Sequence, residues 1–468
     1  MTESATAVFD RLVTAAPPES ADALFDTACV LGGSIAGLLA ARVLTDHAHR
    51  VVVIDRDPVE LRSRPGVPQG HQVHALLPGG LGWMERWFPG LTKEMQHGGA
   101  VLADPDHAAA YLDGRQQVRT GDHDLLYASR PFMEARLRER VLDLPGVSVL
   151  QGQARGLEYR GGTVTGVRYS SGMDGAGVDA GGVLAADFVV DAMGRGSRLA
   201  DWLAADGYDR PPLQRVPSAV NYATALLRRG RRPEELPVQG SIARWGAPNP
   251  VDGVAVAVAL AIEDDRWIVM LMGYDDDRPG QTLEAIRAAC AKLPEPYPEA
   301  TSGELTAEIA TYHQADSRRR DFAGLERFPS RLISTGDAVA SFNPIYGQGM
   351  SSAALHASCL SEYLSQHPDL DAPAMGFFDL QKVAVDAAWA ISAGSDATRA
   401  DALSGADVPE EVGRQRWAID QILRATLTDK EVCRAFENVA YMVAHPSTLA
   451  DPALLERAVT ANRGGGPA

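Results

Sequence analysis

ACVLGGSIAGLLAARVLTDHAHRVVVID, residues 28–55, is the stretch on which the fold turns. An apolar run at 29–31 meets the turn Gly32-Gly33-Ser34-Ile35-Ala36-Gly37, a helix-forming segment follows at 35–44, and a β-branched run at 51–54 stops at Asp55. This order predicts strand, glycine turn, helix and strand, with an acid about 20 residues past the glycines, the pattern of a nucleotide-binding βαβ unit. The first glycine allows the tight turn and the last lets helix and strand approach. The helix N-terminus then offers free N–H groups and a partial positive charge to a pyrophosphate. Asp55 would accept from a ribose hydroxyl. The middle glycine position is Ser34, whose hydroxymethyl narrows the approach to a phosphate but could donate to it.

Working outward, 468 residues predict two to three domains with a large core. A net charge of −17 argues against a nucleic-acid partner or a membrane surface, because phosphates would be repelled. No apolar run is long enough to span a bilayer, so no stable membrane insertion is expected. The N-terminal 26 residues lack a basic n-region and apolar h-region. Cys29, Cys290, Cys359 and Cys433 are far apart, without metal spacing, and suit a reducing, cytoplasmic setting.

After Asp55, Arg56 would stack on an adenine or stay solvated. Pro65, Gly66, Pro68 and Gly70 then break regular structure. His71 and His74 follow, at 72–77 where a helix could begin; no third ligand lies near them for a metal. Residues 80–88 are amphipathic, and 126–141 reads as a strand end at Arg130 with Pro131 in the first turn of a helix. Arg130 would meet a phosphate or ribose, or form a structural salt bridge. A hairpin is expected at 154–169, an exposed glycine-rich loop at 172–182, and a buried strand running into a glycine turn at 186–196. The segments 219–227, 240–245, 253–262 and 267–273 are β-prone and predict an antiparallel sheet, with Trp245, Trp267, Met270 and Met272 as pocket wall or core. A returning strand is expected at 305–316, before an arginine run, 318–320, read as solvated or locally paired.

The second anchor is LISTGDAVASFNPIYGQGM, 332–350: a strand into Gly336-Asp337, a Pro/Gly turn through Pro344, Gly347 and Gly349, and a helix from about Met350. Its N-terminus is a second anion site, and a large cofactor could bridge the two. Helices are expected at 377–389, 413–427, 431–444 and 452–461, and disorder from 463.

Five blocks in this order, VLGGSIAGLLAARVL (30–44), GVPQGHQVHALLPGG (66–80), SRPFMEARLRERV (129–141), DFVVDAMGRGSRLADWL (187–203) and GDAVASFNPIYGQGMSSA (336–353), resemble the FAD-dependent monooxygenases of the para-hydroxybenzoate hydroxylase-like superfamily, and among them the bacterial epoxidases and tailoring enzymes of polyketide and terpenoid pathways. The resemblance spans roughly 28–364. It implies an α/β (α+β) fold: an N-terminal extension (1–27), a discontinuous Rossmann-like FAD-binding domain (28–215 with 330–367), a β-sheet substrate domain (216–329) and a C-terminal helical region (368–468). By the same resemblance Gly32, Gly33, Ser34 and Gly37 would hold the FAD pyrophosphate, Asp55 the adenosine ribose, and Arg56 would lie by the adenine. Arg130 would contact the phosphate or ribityl side and Asp337 the ribityl or pyrophosphate region. Pro344, Gly347, Gly349 and Met350 would line the isoalloxazine.

The resemblance further implies NAD(P)H as electron donor and oxygen transfer through a flavin C4a-hydroperoxide to a hydrophobic natural-product substrate, by a monomer or homodimer. His71 and His74 are the candidate proton donors. The family's Asp-Gly pair is replaced here by Asp191-Ala192-Met193-Gly194, and the tryptophan motif of flavin-dependent halogenases is absent. A non-redox cyclase with structural FAD and a prenyl-chain reductase remain as alternatives.

Overall fold

The computed structural model describes residues 3–58, 68–171, 180–246 and 253–464. The loop from 62 to 67, most of the glycine-rich loop at 172–182 and the last residues from 465 therefore lie outside the described residues. Among those described, the strands form four sheets.

The first sheet has five parallel strands in the order Leu332–Ser334, Phe188–Asp191, Phe25–Leu31, Ala48–Asp55 and Val147–Gln151. Its central strands are continuous apolar runs because helices cover the sheet and water reaches neither face. Leu31 pairs with Ile54 and with Asp191, and Asp191 pairs with Ser334, so three strand ends align at one edge. Two helices leave that edge, Ile35–Leu44 and Gly349–Ser365. They pack on each other, and the turn after Leu332–Ser334 closes on the first: a Cβ on Gly336 would lie 2.5 Å from the Ala36 methyl.

The second large unit is an eight-stranded sheet in the order Ala340–Ser341, Ala310–Arg320, Leu213–Arg228, Arg266–Tyr274, Val256–Ile262, Gly240–Arg244, Ala108–Leu112 and Arg115–Gln116. It is antiparallel except where Gly240–Arg244 runs parallel to Ala108–Leu112. The sheet thus reaches beyond residues 216–329 and recruits 108–116. That segment is short and alanine-rich and carries little strand signal of its own. Tertiary pairing makes it a strand.

Three local expectations change. The segment 72–77 starts no helix; Ala75–Leu76 pairs with Leu126–Tyr127 as strand, and the helix begins at Pro78. The returning strand lies at Ala310–Arg320, because Leu213 pairs with Arg320 and Arg215 with Arg318. The arginine run is therefore part of the sheet: Arg319 sits over the Trp389 ring at 4.8 Å and bonds Asp386 at 2.6 Å. The helix expected at 377–389 runs on through Met375–Ser404. It crosses the back of the large sheet and carries buried Ser392 and Asp396 to the second anchor turn.

Apolar burial follows the sheets. One cluster centres on Val30, Leu31, Val53, Val190 and Ile333 under the paired helices, and another on Leu260, Trp267, Val269 and Met272. A small third cluster, Ile422, Val432 and Val439, joins the C-terminal helices.

Candidate active site

A cleft of about 690 Å³ starts at the aligned strand ends and runs to the large sheet. At its head lies the turn Gly32-Gly33-Ser34. Gly32 has φ +106°, a region that only glycine occupies easily. A Cβ on Gly33 would fall 2.6 Å from Asp55 Oδ2, and one on Gly37 would fall 1.8 Å from the Gly32 carbonyl oxygen. Gly37 does not line the cleft; it lets the helix seat against the turn. The Asp55 carboxylate accepts from Gly33 N–H at 2.5 Å and from Asp57 N–H at 2.9 Å, so it braces the turn as well as facing the cleft.

Ser34 is the N-cap of Ile35–Leu44, yet its side chain makes no capping bond. Its hydroxyl donates to Glu134 Oε2 at 2.8 Å and accepts from Arg130 Nη2 at 3.2 Å. The first-turn amides of that helix are therefore left to the cleft. Arg130 also bonds Glu134 at 3.3 Å, and Arg138 holds the other Glu134 oxygen at 2.8 Å. Arg130 thus forms a structural ion pair and also lines the cleft. Arg56 lies on the rim, exposed and 4.0 Å from Asp57.

Across the cleft, Asp337 faces Arg130 and Arg195; burial pushes its carboxyl above the ordinary value, and Arg130, Arg195 and Arg318 oppose that rise. Gly336 N–H donates to His356 Nδ1 at 2.9 Å, which fixes the Gly336-Asp337 turn. Pro344, Gly347, Gly349 and Met350 all line the wall. Gly347 has φ +67°, and a Cβ on Gly349 would meet nothing within 4 Å, so the helix start is open. Gln348 is 1% exposed, and both its side-chain polar atoms lack a partner. The turn is clamped from the long helix: Asn343 N–H donates to Ser392 Oγ at 3.0 Å, and Asn343 Nδ2 to Asp396 Oδ1 at 2.8 Å.

The donor set suits a dinucleotide: two open helix starts, a glycine cradle, one arginine between them and unpaired amide groups at the far end. Of the residues expected in the site, Gly37 and His71 do not line the cleft and the others do. His71 is exposed. His74 lines the cleft, but its Nδ1–H donates to the Gln72 carbonyl at 2.9 Å, and burial lowers its pKa to about 3. With Nδ1–H so engaged, the neutral ring keeps Nε2 as an acceptor. Among the described residues no cluster of His, Cys, Asp and Glu could hold a metal.

The Asp191 carboxylate turns inward. It accepts from Met193 N–H at 3.0 Å, Ser197 Oγ at 2.7 Å and Ser334 Oγ at 3.1 Å. Its role is to tie two strand ends, while Met193, Gly194 and Arg195 face the cleft. Beyond the second anchor the cleft widens against the sheet. Met270 lines it with Val258 and Leu260, whereas Trp267, 1% exposed, lies on the opposite face because strand side chains alternate. Met272 is buried beyond the cavity and Trp245 is half-buried, packed on that core.

Several wall residues carry no sequence motif: Ala108 and Ala110 from a short strand, Thr120 and His123 from the loop that follows, and Glu437 and Tyr441 from the end of the helix Lys430–Ala440. Contact with segments far away in the chain places them, and the Glu437 carboxyl, raised by burial, is held by the Thr120 hydroxyl.

No family model matches the chain. It is 34% identical over 351 residues to protein Rv3254 of Mycobacterium tuberculosis (strain ATCC 25618 / H37Rv), covering 72% of this chain and 73% of that protein. Among solved structures it is similar to the flavin-dependent brominase Bmp2 (TM-score 0.62, 14% identity, 94% of this chain and 100% of the other). It is also similar to p-nitrophenol 4-monooxygenase PnpA from Pseudomonas putida DLL-E4 (0.60, 18%, 91% and 99%) and to the Diels-Alderase PyrE3 of pyrroindomycin biosynthesis (0.57, 17%, 89% and 80%). The chain has the mixed α/β fold that these structures share. No helix among the described residues is long and apolar enough to cross a membrane.

Proposed function

The chain belongs to the family of Mycobacterium tuberculosis protein Rv3254, and from that premise and its cleft we propose that it is an FAD-dependent monooxygenase, supplied by NAD(P)H, that hydroxylates or epoxidises a hydrophobic polyketide- or terpenoid-type molecule. One observation carries the reading: a single cavity joins the Gly32-Gly33-Ser34 turn, the open start of Gly349–Ser365 and an apolar chamber on the large sheet. Bound and reduced, FAD supplies the activation of dioxygen.

The chain's own residues bind, orient and shield. The amides at Ser34 and Ile35, with Arg130, receive the pyrophosphate, and Asp55, while it holds the Gly33 amide, accepts from a ribose hydroxyl. Asp337 faces the ribityl side. The amides that open Gly349–Ser365, with the Gln348 side chain, donate to carbonyl oxygens at the ring end and stabilise negative charge there. Pro344, Gly347 and Met350 bound the ring. Val258, Leu260 and Met270 exclude water from the chamber where substrate would lie. No general base is called for.

The test is anaerobic mixing of the purified yellow protein with NADPH and with NADH, followed by oxygen. Bleaching of the flavin bands and their return with oxygen is expected, with product one oxygen heavier than substrate. Flavin that stays oxidised with both donors would shift the reading to a non-redox cyclase that yields an isomer. Asp191-Ala192, in place of the Asp-Gly pair that the resemblance leads one to expect, favours that second reading.

A further inference from the structure

Trp417 differs from every other tryptophan in the chain. Trp83, Trp87, Trp202, Trp245, Trp267 and Trp389 all lie in or against the two large apolar clusters. Trp417 joins none of the three clusters and is 51% exposed, on the helix Glu410–Ala425. Four of the five large apolar side chains left exposed among the described residues, Leu403, Val408, Trp417 and Ile419, belong to the segment 403–419. Exposed apolar surface concentrated in this way marks a contact with something outside the chain.

The charges around Trp417 say what that contact is. Glu410 lies seven residues before it, Arg414 three before, Asp420 three after and Arg424 seven after. Residues three, four and seven apart share a helix face, so the five form one stripe: acid, base, ring, acid, base. The spacings read the same from either end, and the charges invert. A second copy of the stripe laid antiparallel, with a two-fold axis at Trp417, therefore sets Glu410 against Arg424 and Arg414 against Asp420. Laid parallel, it would set like charges together. Gly413, one turn before the ring, is a glycine in the helix interior where a Cβ would meet nothing within 4 Å, so the backbone beside the ring is open to close approach. Within one chain Glu410 bonds Arg414 at 2.7 Å and Asp420 bonds Arg424 at 2.9 Å. Such exposed pairs contribute little by themselves, but they hold the four side chains along the stripe.

We propose that the face of Glu410–Ala425 centred on Trp417 is the interface of a two-fold homodimer, its partner a second copy of this chain. An aromatic centre with a charged rim is the anatomy of such a contact, and self-complementary charge is what a two-fold interface demands of a single surface. None of the five stripe residues lines the cleft. The far end of the same helix does reach the cleft wall, where Val118 N–H donates to the Thr426 carbonyl at 3.0 Å. The dimer contact thus buttresses the wall from outside without entering the site. The inference does not depend on the monooxygenase reading.

The test is the mass of the purified full chain in solution, read by light scattering over a dilution series. The wild type is expected to have the mass of two chains at tens of micromolar. Trp417→Ala is expected to weaken the dimer about thirtyfold or more. Arg424→Glu, which sets two acids opposite each other, is expected to weaken it about tenfold. The swap Glu410→Arg with Arg424→Glu is expected to restore it. That swap breaks both pairs within each helix and re-forms the pairs between chains, so rescue reads the interface and not the stability of the helix. Flavin content and circular dichroism of every variant are expected to match the wild type.

A wild type that stays monomeric at tens of micromolar, a dimer that Trp417→Ala leaves intact, or a swap that dimerises no better than Arg424→Glu alone would each overturn the proposal. If Trp417→Ala does not fold, the comparison of Arg424→Glu with the swap decides by itself.

Discussion

Replacing Asp396 by Asn should make the protein more stable at alkaline pH, an unusual sign for a buried polar substitution. Asp396 is 3% exposed, on the long helix Met375–Ser404. Its Oδ1 accepts from Asn343 Nδ2 at 2.8 Å and its Oδ2 from Ser317 Oγ at 3.4 Å. Burial raises the carboxyl from 3.8 to about 6, against the opposing pull of Asn343, Ser317 and Arg399. A folded-state pKa above the unfolded one means that the folded chain favours the protonated form. Its contribution is fully present below the unfolded value and is lost as pH rises through about 6.

The rise corresponds to about 3 kcal/mol at pH 8, shrinking to about 1 kcal/mol at pH 4.5. Asparagine carries no charge and keeps both contacts, its carbonyl accepting from Asn343 and its amide donating to Ser317. Asp396→Asn should therefore gain up to about 3 kcal/mol over the wild type in urea denaturation at pH 8, and about 1 kcal/mol at pH 4.5. Buried His74 and His356, both lowered to about 3, pull stability the other way in acid, but they act equally on both proteins and cancel in the difference. A difference that is the same at both pH values, or a variant less stable at pH 8, would refute the reasoning.

Gly37→Ala should cost about 3 kcal/mol or more, because its Cβ would sit 1.8 Å from the Gly32 carbonyl oxygen and neither backbone can retreat; thermal melting and flavin content should fall together. Gly349→Ala separates the two: its Cβ meets nothing within 4 Å, so the apoprotein should melt no lower and up to about 1 kcal/mol more stable by helix propensity, while flavin affinity drops about tenfold (~1.4 kcal/mol) as the methyl enters the cofactor's space. An unchanged flavin dissociation constant would remove Gly349 from the cofactor wall. His74→Gln should leave the pH–rate profile between pH 5 and 8 unshifted, because the ring is already neutral there, with a pKa of about 3; loss of an acid limb in the variant would restore His74 as a proton donor.

The parallel core was legible because its signals are local. The turn at Gly32 to Gly37 sits between two apolar runs, and a βαβ unit needs only neighbouring segments to declare itself. Asp337, Pro344, Gly347 and Gly349 were readable for the same reason, as one turn before one helix. The antiparallel strands at 256–274 showed as two β-prone apolar runs on either side of the acidic turn Glu263-Asp264-Asp265. Sequence alone could not place Ala108 and Ala110 as strand, since alanines carry no strand preference and the pairing partner, Gly240–Arg244, lies far along the chain. Nor could it show that Asp191 turns inward, that His74 is held as an acceptor, or that Glu437 and Tyr441 return from the C-terminal helices to wall the cleft.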